Sequence, residues 1–492
     1  MRGKYTKHGA RPIHSLVDKV RINYAGIVIV LAMLLGGGTI QRLWTDHIVQ
    51  ITMLPALVIG LLSIDKWRLD TLSKTLVFMI VFLCLLQFIP LNLHDLVPAA
   101  EGLAPQPRFW TLSAQGSLES ILFTLPLLGF FVFISCFGEY EQHLLIRYLF
   151  LGFIINLVAG VIELSHGTGV QIEGVFPFTI TSGLFANQNH FSTLVFMMIP
   201  LIAWRFMWYE KQPLIYIVLA LLLVIFLFAV GSRAGMGISA ALAIFCLFWK
   251  ATEKDSAIVR IGAIIVLLLL AAVSAAFLES GSSVDGDLRL IFYKNTIKAI
   301  SEHWLVGTGL GTFIFIYPMF EPQEDMTREF ANHAHNDWLE LILEIGFLFF
   351  IPLIALLLIL LFRHAMRTPL TQAATLSVLA VLLHSLVDYP LRTMAISTTF
   401  TVLLAIILSK GQVTFSPASE QEKTSDKRRR KDRVEKGDPR QGGSKVRTRS
   451  NRPRNLAEEL LPQSHRSRKI RPQEGSRRTP RNTGRSPADS SE

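Results

Sequence analysis

Residues 345–362 read IGFLFFIPLIALLLILLF and contain no Lys, Arg, Asp or Glu. An α-helix needs about 20 apolar residues to cross the hydrocarbon core of a bilayer. The residues directly before this run, 330–344, read FANHAHNDWLELILE and are far more polar. Histidines, asparagines and an aspartate at a membrane edge are costly unless they cap a helix, face water or form a site. The segment therefore predicts a membrane helix with an unusual polar feature at its start.

Similar apolar runs recur along residues 22–410. The chain has 492 residues, of which 51% are hydrophobic, and this is too apolar for an ordinary soluble protein. We therefore predict an all-α, polytopic integral membrane protein with about 12 transmembrane helices. The predicted spans are Ile22–Gln41, Ile48–Ile64, Thr75–His94, Leu118–Phe137, Leu144–Leu164, Phe185–Phe206, Gln212–Ser232, Ala234–Trp249, Ile261–Leu278, Ile345–Phe362, Leu370–Val387 and Thr393–Ser409.

Basic residues set the predicted orientation, because cytoplasmic segments are enriched in Lys and Arg. Residues 1–21 are rich in both, so we place this N-terminal segment in the cytoplasm. Alternation along the membrane domain, residues 22–410, then puts residues 279–336 outside as a large loop. An even number of spans returns residues 411–492 to the cytoplasm.

The C-terminal tail, residues 411–492, carries the whole excess of positive charge. It holds 22 of the 48 Lys and Arg and 11 of the 37 Asp and Glu, which leaves 26 of each in the rest of the chain. The tail is poor in aromatic residues and is predicted to be disordered. Its run KRRRKDR, residues 427–433, resembles a nucleic-acid patch, but a solvated tail near an anionic inner leaflet is the favoured interpretation. We expect no nucleic-acid partner.

Two segments predicted to lie outside carry arginines. The sequence GSRAG, residues 231–235, predicts a tight connection between two spans with Arg233 at the membrane face. A snorkelling arginine is the alternative. The sequence DLRLIFYKNTIKAI, residues 287–300, predicts a helix along the membrane surface that presents Arg289 and Tyr293 on one face.

The polar stretch before residue 345 has two interpretations. Asn336 or Asp337 fits a helix N-cap, but capping does not explain His333 and His335. The pattern H-x-H followed by an acidic residue also occurs in metal sites. A metal site would need a further His or Cys on the same side, for which His190 is the one candidate. We expect neither a metal nor a cofactor.

Two further polar segments fall at the same predicted face. The sequence FANQNHFSTL, residues 185–194, places Asn189 and His190 where polar groups are costly without a hydrated cavity. In HSLVDYPLR, residues 384–392, Asp388 and Arg392 have helical spacing, although Pro390 is expected to end the helix first. An Asp388–Arg392 pair with a purely structural role remains an equal alternative to a functional one.

The combination of arginines and a histidine indicates a class of chemistry. Guanidinium groups bind phosphate oxygens through paired hydrogen bonds. A histidine titrates near neutral pH and accepts a proton from a hydroxyl. Together they fit a reaction with a phosphate leaving group and a hydroxyl nucleophile, and a preassembled lipid-diphosphate donor suits the outer face.

The motifs GSRAG, the loop helix with Arg289 and Tyr293, LVGTGLGTF, HAHNDWLELILEIG and HSLVDYPL occur in this order. As an ordered set they resemble the bacterial O-antigen ligase superfamily, which also includes O-antigen polymerases and protein O-oligosaccharyltransferases. The resemblance covers Ser182–Leu391 and extends to the multi-span plan of Met1–Lys410. It implies a metal-independent, inverting glycosyltransferase in the bacterial inner membrane, with its active site facing the periplasm.

The resemblance also implies roles for residues and partners. His335 corresponds to the proposed base, and Arg233 and Arg289 correspond to residues that engage the donor diphosphate. The implied donor is an undecaprenyl-diphosphate-linked glycan, the acceptor is lipid A core or another glycan, and membrane lipid surrounds both. A transporter or flippase of lipid-linked oligosaccharide and a non-catalytic scaffold remain alternatives. Residues expected to support the site are His333, Asn336, Asp337, Tyr293, Asn189, His190, Asp388 and Arg392.

Overall fold

The computed structural model describes residues 16–40, 42–90, 109–167, 169–251, 261, 284–326 and 330–410. These residues fold into helices without a β-strand, as predicted. The predicted tail and the N-terminal segment up to residue 15 lie outside this range. The long helices are α1 (Leu16–Leu35), α2 (Trp44–Leu62), α3 (Thr71–Leu86), α4 (Ala114–Ser135), α5 (Glu139–His166), α6 (Gln188–Ala203), α7 (Pro213–Val230), α8 (Arg233–Ala251), α9 (Val284–His303), α10 (Asp337–Ala365), α11 (Pro369–His384) and α12 (Met394–Leu408).

Seven of the described helices are long and apolar enough to cross a membrane, namely α2, α4, α5, α6 with its continuation to Tyr209, α7, α8 and α10. Helices α3, α11 and α12 are apolar but shorter. The multi-pass architecture is thus confirmed at this coarser level. The predicted span Ile261–Leu278 lies almost entirely outside the described residues, and the count of 12 stays a prediction.

Helix α6 is the most enclosed of these helices. It packs against α8 and α11, and every residue from His190 to Ala203 is buried. Asn187 caps its N-terminus by accepting a hydrogen bond from the Asn189 amide at 2.8 Å. The cap fixes where the helix starts, so His190 lies in the first turn of a buried helix.

Helix α10 is broken one third of the way along its length. Gly346 has a φ of +66°, which a glycine adopts without steric cost. The carbonyl of Leu343 accepts a hydrogen bond from the Thr308 amide at 2.9 Å, and the Phe347 amide donates to the Trp304 carbonyl at 2.8 Å. Non-helical backbone at membrane depth needs such partners from within the protein.

These partners come from Trp304 and from the glycine-rich segment that follows it, LVGTGLGTF, residues 305–313. This segment is closely packed against its neighbours. A Cβ on Gly307 would lie 2.5 Å from the Glu344 carbonyl, and one on Gly311 would lie 2.2 Å from the Gly116 carbonyl. The glycines are therefore required by close backbone contact with α10 and α4.

The predicted loop helix is present as α9, which packs against α10. Phe292 is buried in a small core with Tyr317 and Ala331, and Leu288 packs against it. These apolar contacts fix the rotation of the helix. The neighbouring positions Arg289 and Tyr293 are thereby turned towards the start of α10.

Candidate functional site

Asp388 is the residue at which the site converges. It lies in the connection between α11 and α12 and is completely buried. Its carboxylate oxygens lie 3.5 Å from His190 Nε2, 3.7 Å from an Arg289 amino nitrogen and 4.0 Å from His335 Nδ1. The three partners come from α6, α9 and the segment before α10. Residues far apart in sequence therefore meet around one carboxylate.

His335 is the most accessible titratable group of this cluster apart from Arg289. Its side chain is 24% exposed, whereas that of Asp388 is 1% exposed. The imidazole stacks on the Phe292 ring at 5.6 Å between centroids and meets the Tyr389 ring edge-on at 4.7 Å. The contact with Asp388 involves Nδ1, which leaves Nε2 as the nitrogen available to a substrate.

The backbone of His335 adopts an uncommon conformation. Its φ is +51°, in the left-handed region, which costs a non-glycine residue about 1–2 kcal/mol. The Tyr293 hydroxyl donates a hydrogen bond to the His335 carbonyl at 3.0 Å and thereby ties α9 to this segment. Burial raises the pKa of Tyr293 to about 12, so the hydroxyl keeps its proton at neutral pH. Strained backbone of this kind clusters at functional sites.

Burial of the cluster favours a neutral His335 imidazole. Burial lowers the pKa of His335 to about 4, although the neighbouring Asp388 carboxylate opposes the shift. Burial by itself would raise the pKa of Asp388, but His190 and Arg289 outweigh it and hold that pKa well below its usual range. At neutral pH the site therefore contains an ionised carboxylate, a charged guanidinium and an unprotonated His335.

If His335 acts as a general base, we expect the rate of the reaction to be insensitive to mild acid. With a pKa near 4, about 97% of His335 stays unprotonated at pH 5.5, whereas an ordinary histidine with a pKa of about 6.5 would be about 90% protonated. The measurement is kcat/KM for transfer between pH 5 and 8, which reports on the free enzyme. A tenfold loss between pH 7.5 and 5.5 would contradict a base with this lowered pKa.

Tyr389 is a site residue that sequence reasoning did not single out. Its ring lies 4.7 Å from the His190 ring, 4.5 Å from the His333 ring and 4.7 Å from the His335 ring, between centroids. It stands next to Asp388 in the quoted motif HSLVDYPLR, so the signal was present. Its contacts depend on two distant segments, which the sequence alone does not bring together.

The predicted pairing of Asp388 with Arg392 is wrong. Helix α11 ends at His384, so the helical spacing of the two residues does not apply. Arg392 instead pairs with Glu344 at 3.0 Å and Glu340 at 3.5 Å, both in α10. Arg392 thus belongs to a neighbouring buried cluster, and Asp388 is left to face His190, Arg289 and His335.

Asn336 and Asp337 have structural contacts. Asn336 is the N-cap of α10, because its side-chain oxygen accepts hydrogen bonds from the amides of Trp338 and Leu339 at 3.0 Å each. Asp337 accepts a hydrogen bond from the Ser385 hydroxyl at 2.8 Å. The Asn336 amide nitrogen also donates a hydrogen bond to the Leu386 carbonyl at 2.7 Å. This bond and the Ser385–Asp337 bond hold the start of α10 beside the end of α11. The capping interpretation therefore fits Asn336, whereas Asp337 is the first residue of the helix and not its cap.

Arg233 and Asn189 lie at the edge of the cluster. Arg233 is the first residue of α8, and its side chain is exposed. It follows Ser232 and Gly231, of which Gly231 has a left-handed backbone. The Ser232 hydroxyl donates a hydrogen bond to the Asn189 side-chain oxygen at 3.0 Å. This bond joins the GSRAG turn to the residue before His190. Among the residues that the structure describes, no hydrogen bond or ion pair joins the Arg233 guanidinium to Asp388 or His335.

His190 completes the contact list without forming a metal centre. Its Nδ1 shares a hydrogen bond of 2.6 Å with the Thr393 hydroxyl. Within the described ranges, no group of three or more His, Cys, Asp or Glu side chains has the arrangement of a metal site. The other ring nitrogen of His190, Nε2, lies 3.5 Å from Asp388.

Residues 218–354 match the family of proteins described as O-antigen ligase. The similarity is to an O-antigen ligase domain and extends over these residues of the chain. The predicted superfamily is thus confirmed, and the domain indicates a membrane protein that transfers glycans. The matched segment includes Arg233, Arg289 and His335, while His190 and Asp388 lie outside it. No curated protein matches the chain.

Proposed function

We propose that this protein is a glycosyltransferase that moves a glycan from an undecaprenyl-diphosphate carrier to an acceptor hydroxyl at the periplasmic face of the bacterial inner membrane. The observation that supports it best is the approach of Arg289 and His335 to the same buried carboxylate, Asp388. A fixed positive charge and a neutral base within one small site suit an anionic leaving group and a hydroxyl nucleophile.

His335 is the proposed base of this reaction. Its Nε2 takes the proton from the acceptor hydroxyl while the acceptor oxygen bonds to the anomeric carbon of the donor glycan. Asp388, 4.0 Å from Nδ1, orients the imidazole and stabilises the imidazolium that forms. A distance of this length is compatible with a hydrogen bond that tightens when substrates bind.

Arg289 and Arg233 are the proposed partners of the donor diphosphate. As the bond between the anomeric carbon and the diphosphate oxygen breaks, its electron pair goes to the diphosphate, and the added charge needs stabilising. Arg289 has a 26% exposed side chain within 3.7 Å of Asp388, so it is held in place and still open to a ligand. Arg233 is exposed at the start of α8, and its neighbour Ser232 is bonded to Asn189.

The proposed reaction is a single displacement that inverts the anomeric centre. A double displacement would need a nucleophile such as a free carboxylate close to the donor. Asp388 is buried among His190, Arg289 and His335, and Glu340 is buried against His333 and Arg392. These contacts favour direct attack by the acceptor hydroxyl and support a mechanism without a glycosyl–enzyme intermediate.

The test is transfer by the purified, full-length protein in liposomes that contain an undecaprenyl-diphosphate-linked oligosaccharide and lipid A core. We expect a glycosylated acceptor and released undecaprenyl diphosphate, with an undiminished rate in excess EDTA. Movement of the donor across the bilayer without a new glycosidic bond would instead indicate a transporter. In cells, deletion with loss of capped lipid A and accumulation of lipid-linked polymer would indicate a ligase, and single-repeat capping would indicate a polymerase.

A further inference from the structure

A second group of buried side chains lies against the segment that carries His335. Glu340, in the first turn of α10, is 1% exposed. One of its carboxylate oxygens accepts a hydrogen bond from His333 Nδ1 at 2.9 Å, and the other accepts one from the Ala334 amide at 3.0 Å. Both oxygens are therefore bonded to the two residues that immediately precede His335.

Glu340 also has a charged partner on another element. Arg392 lies 3.5 Å from Glu340 and 3.0 Å from Glu344, and Glu344 accepts a hydrogen bond from the Gly311 amide at 2.9 Å. The cluster thus connects α10, the glycine-rich segment and the turn before α12. Removing one partner from such a buried network leaves an uncompensated charge or polar group.

The left-handed backbone of His335 needs restraint on both sides. Such conformations persist where the surroundings over-determine them. Asn336, the residue that follows His335, is held in place as the N-cap of α10. Glu340 holds the two residues that precede His335. Without Glu340 the segment is free to relax towards an ordinary backbone conformation, which turns the imidazole away from Asp388.

We propose that Glu340 is a positioning residue for glycan transfer. Its carboxylate accepts hydrogen bonds from His333 and Ala334 and thereby holds the His335 imidazole beside Asp388 and Arg289. This inference rests on the proposed role of His335 as the base. Glu340 is too deeply buried to contact a substrate, so its effect passes through His335. A displacement of about 1 Å at a catalytic group is enough to lower a rate by about 10²-fold.

Two substitutions separate the effect of losing the two Glu340 hydrogen bonds from the effect of losing its charge. Glu340→Leu keeps a similar volume and removes both acceptors. Glu340→Gln keeps both contacts, because its amide oxygen accepts from Ala334 and its amide nitrogen donates to the other tautomer of His333. We expect Glu340→Leu to lower kcat by about 10²-fold or more with a nearly unchanged KM for the donor, and Glu340→Gln to stay within about tenfold of the wild type.

Hydrogen exchange of the full-length protein in lipid nanodiscs tests, independently of activity, whether Glu340 restrains the segment before α10. Glu340→Leu should speed amide exchange in residues 330–336 and leave residues 187–193 unchanged. The matched control is Glu163→Leu, which also removes a buried glutamate, 4% exposed, from a membrane helix. Glu163→Leu should affect neither exchange in residues 330–336 nor kcat.

A double variant decides whether Glu340 acts through His335. Adding Glu340→Leu to His335→Ala should cause no further loss, because residues that act as a unit are not additive. Unchanged exchange in residues 330–336, a Glu340→Leu rate within about tenfold of the wild type, or a Glu340→Gln rate as poor as that of Glu340→Leu would each overturn the proposal. If His335→Ala alone were fully active, the proposed base would be wrong. The exchange result would still show whether Glu340 restrains residues 330–336.

Discussion

Replacing His335 by alanine or asparagine should lower the rate of glycan transfer by about 10²–10⁴-fold, the range that general-base catalysis contributes. Neither side chain takes up a proton at neutral pH. Asparagine is the sharper test because it tolerates the left-handed backbone that His335 adopts, with its φ of +51°. The loss should appear in kcat, since the donor diphosphate is held by other residues. The measurement is product formation by protein reconstituted in liposomes.

The matched control for this substitution is His47→Asn. His47 lies near the start of α2, is exposed, and contacts Gln50 rather than any residue of the site. Its replacement should leave the rate unchanged and the protein equally stable. If His335→Asn transferred glycan at a rate within about threefold of the wild type while His47→Asn behaved as expected, His335 would not be the base.

Replacing Arg289 by alanine should lower transfer by about 10²–10³-fold, as removal of one preorganised donor to a developing negative charge does elsewhere. Arg289→Lys should recover only part of this rate. Lysine keeps the charge, but it lacks the planar pair of donors that fits a diphosphate. The measurement is kcat and donor KM for both variants, compared with Arg42→Ala as the control. Arg42 is an exposed arginine that pairs with Glu119 away from the cluster.

The contrast between the two Arg289 variants decides how the charge acts. A rate for Arg289→Lys equal to that of the wild type would mean that charge alone is sufficient. A rate for Arg289→Ala close to that of the wild type would mean that the leaving diphosphate is stabilised elsewhere, and Arg233 would then be the first residue to examine. Loss of folded protein in Arg289→Ala but not in Arg289→Lys would be detected by size-exclusion chromatography before any rate is compared.

The sequence was most informative about the helices. Long apolar runs predict membrane helices because an unpaired backbone is intolerable in lipid, and α2, α4, α5, α7 and α10 all coincide with predicted spans. The sequence did not reveal the break at Gly346. A single glycine in an apolar run is ordinary, and the break depends on a distant segment, residues 304–309, that supplies the missing hydrogen-bond partners.

The sequence predicted which residues form the site better than it predicted which of them pair with one another. Helical spacing suggested that Asp388 pairs with Arg392, because the two residues are four apart. The end of α11 at His384 removes that geometry, and Glu340 and Glu344 attract Arg392 instead. The left-handed conformation of His335 also left no signal in the sequence. It is accompanied by tertiary contacts, since Tyr293 bonds to the His335 carbonyl and Glu340 bonds to His333 and Ala334.

The anomeric configuration of the linkage formed by the purified protein tests the central proposal most directly. The experiment uses a lipid-diphosphate donor of known configuration, one acceptor and EDTA, and reads the new linkage by NMR. Direct attack by a hydroxyl that His335 deprotonates predicts one inverted product. A product that retains the donor configuration would require a glycosyl–enzyme intermediate and would contradict the account.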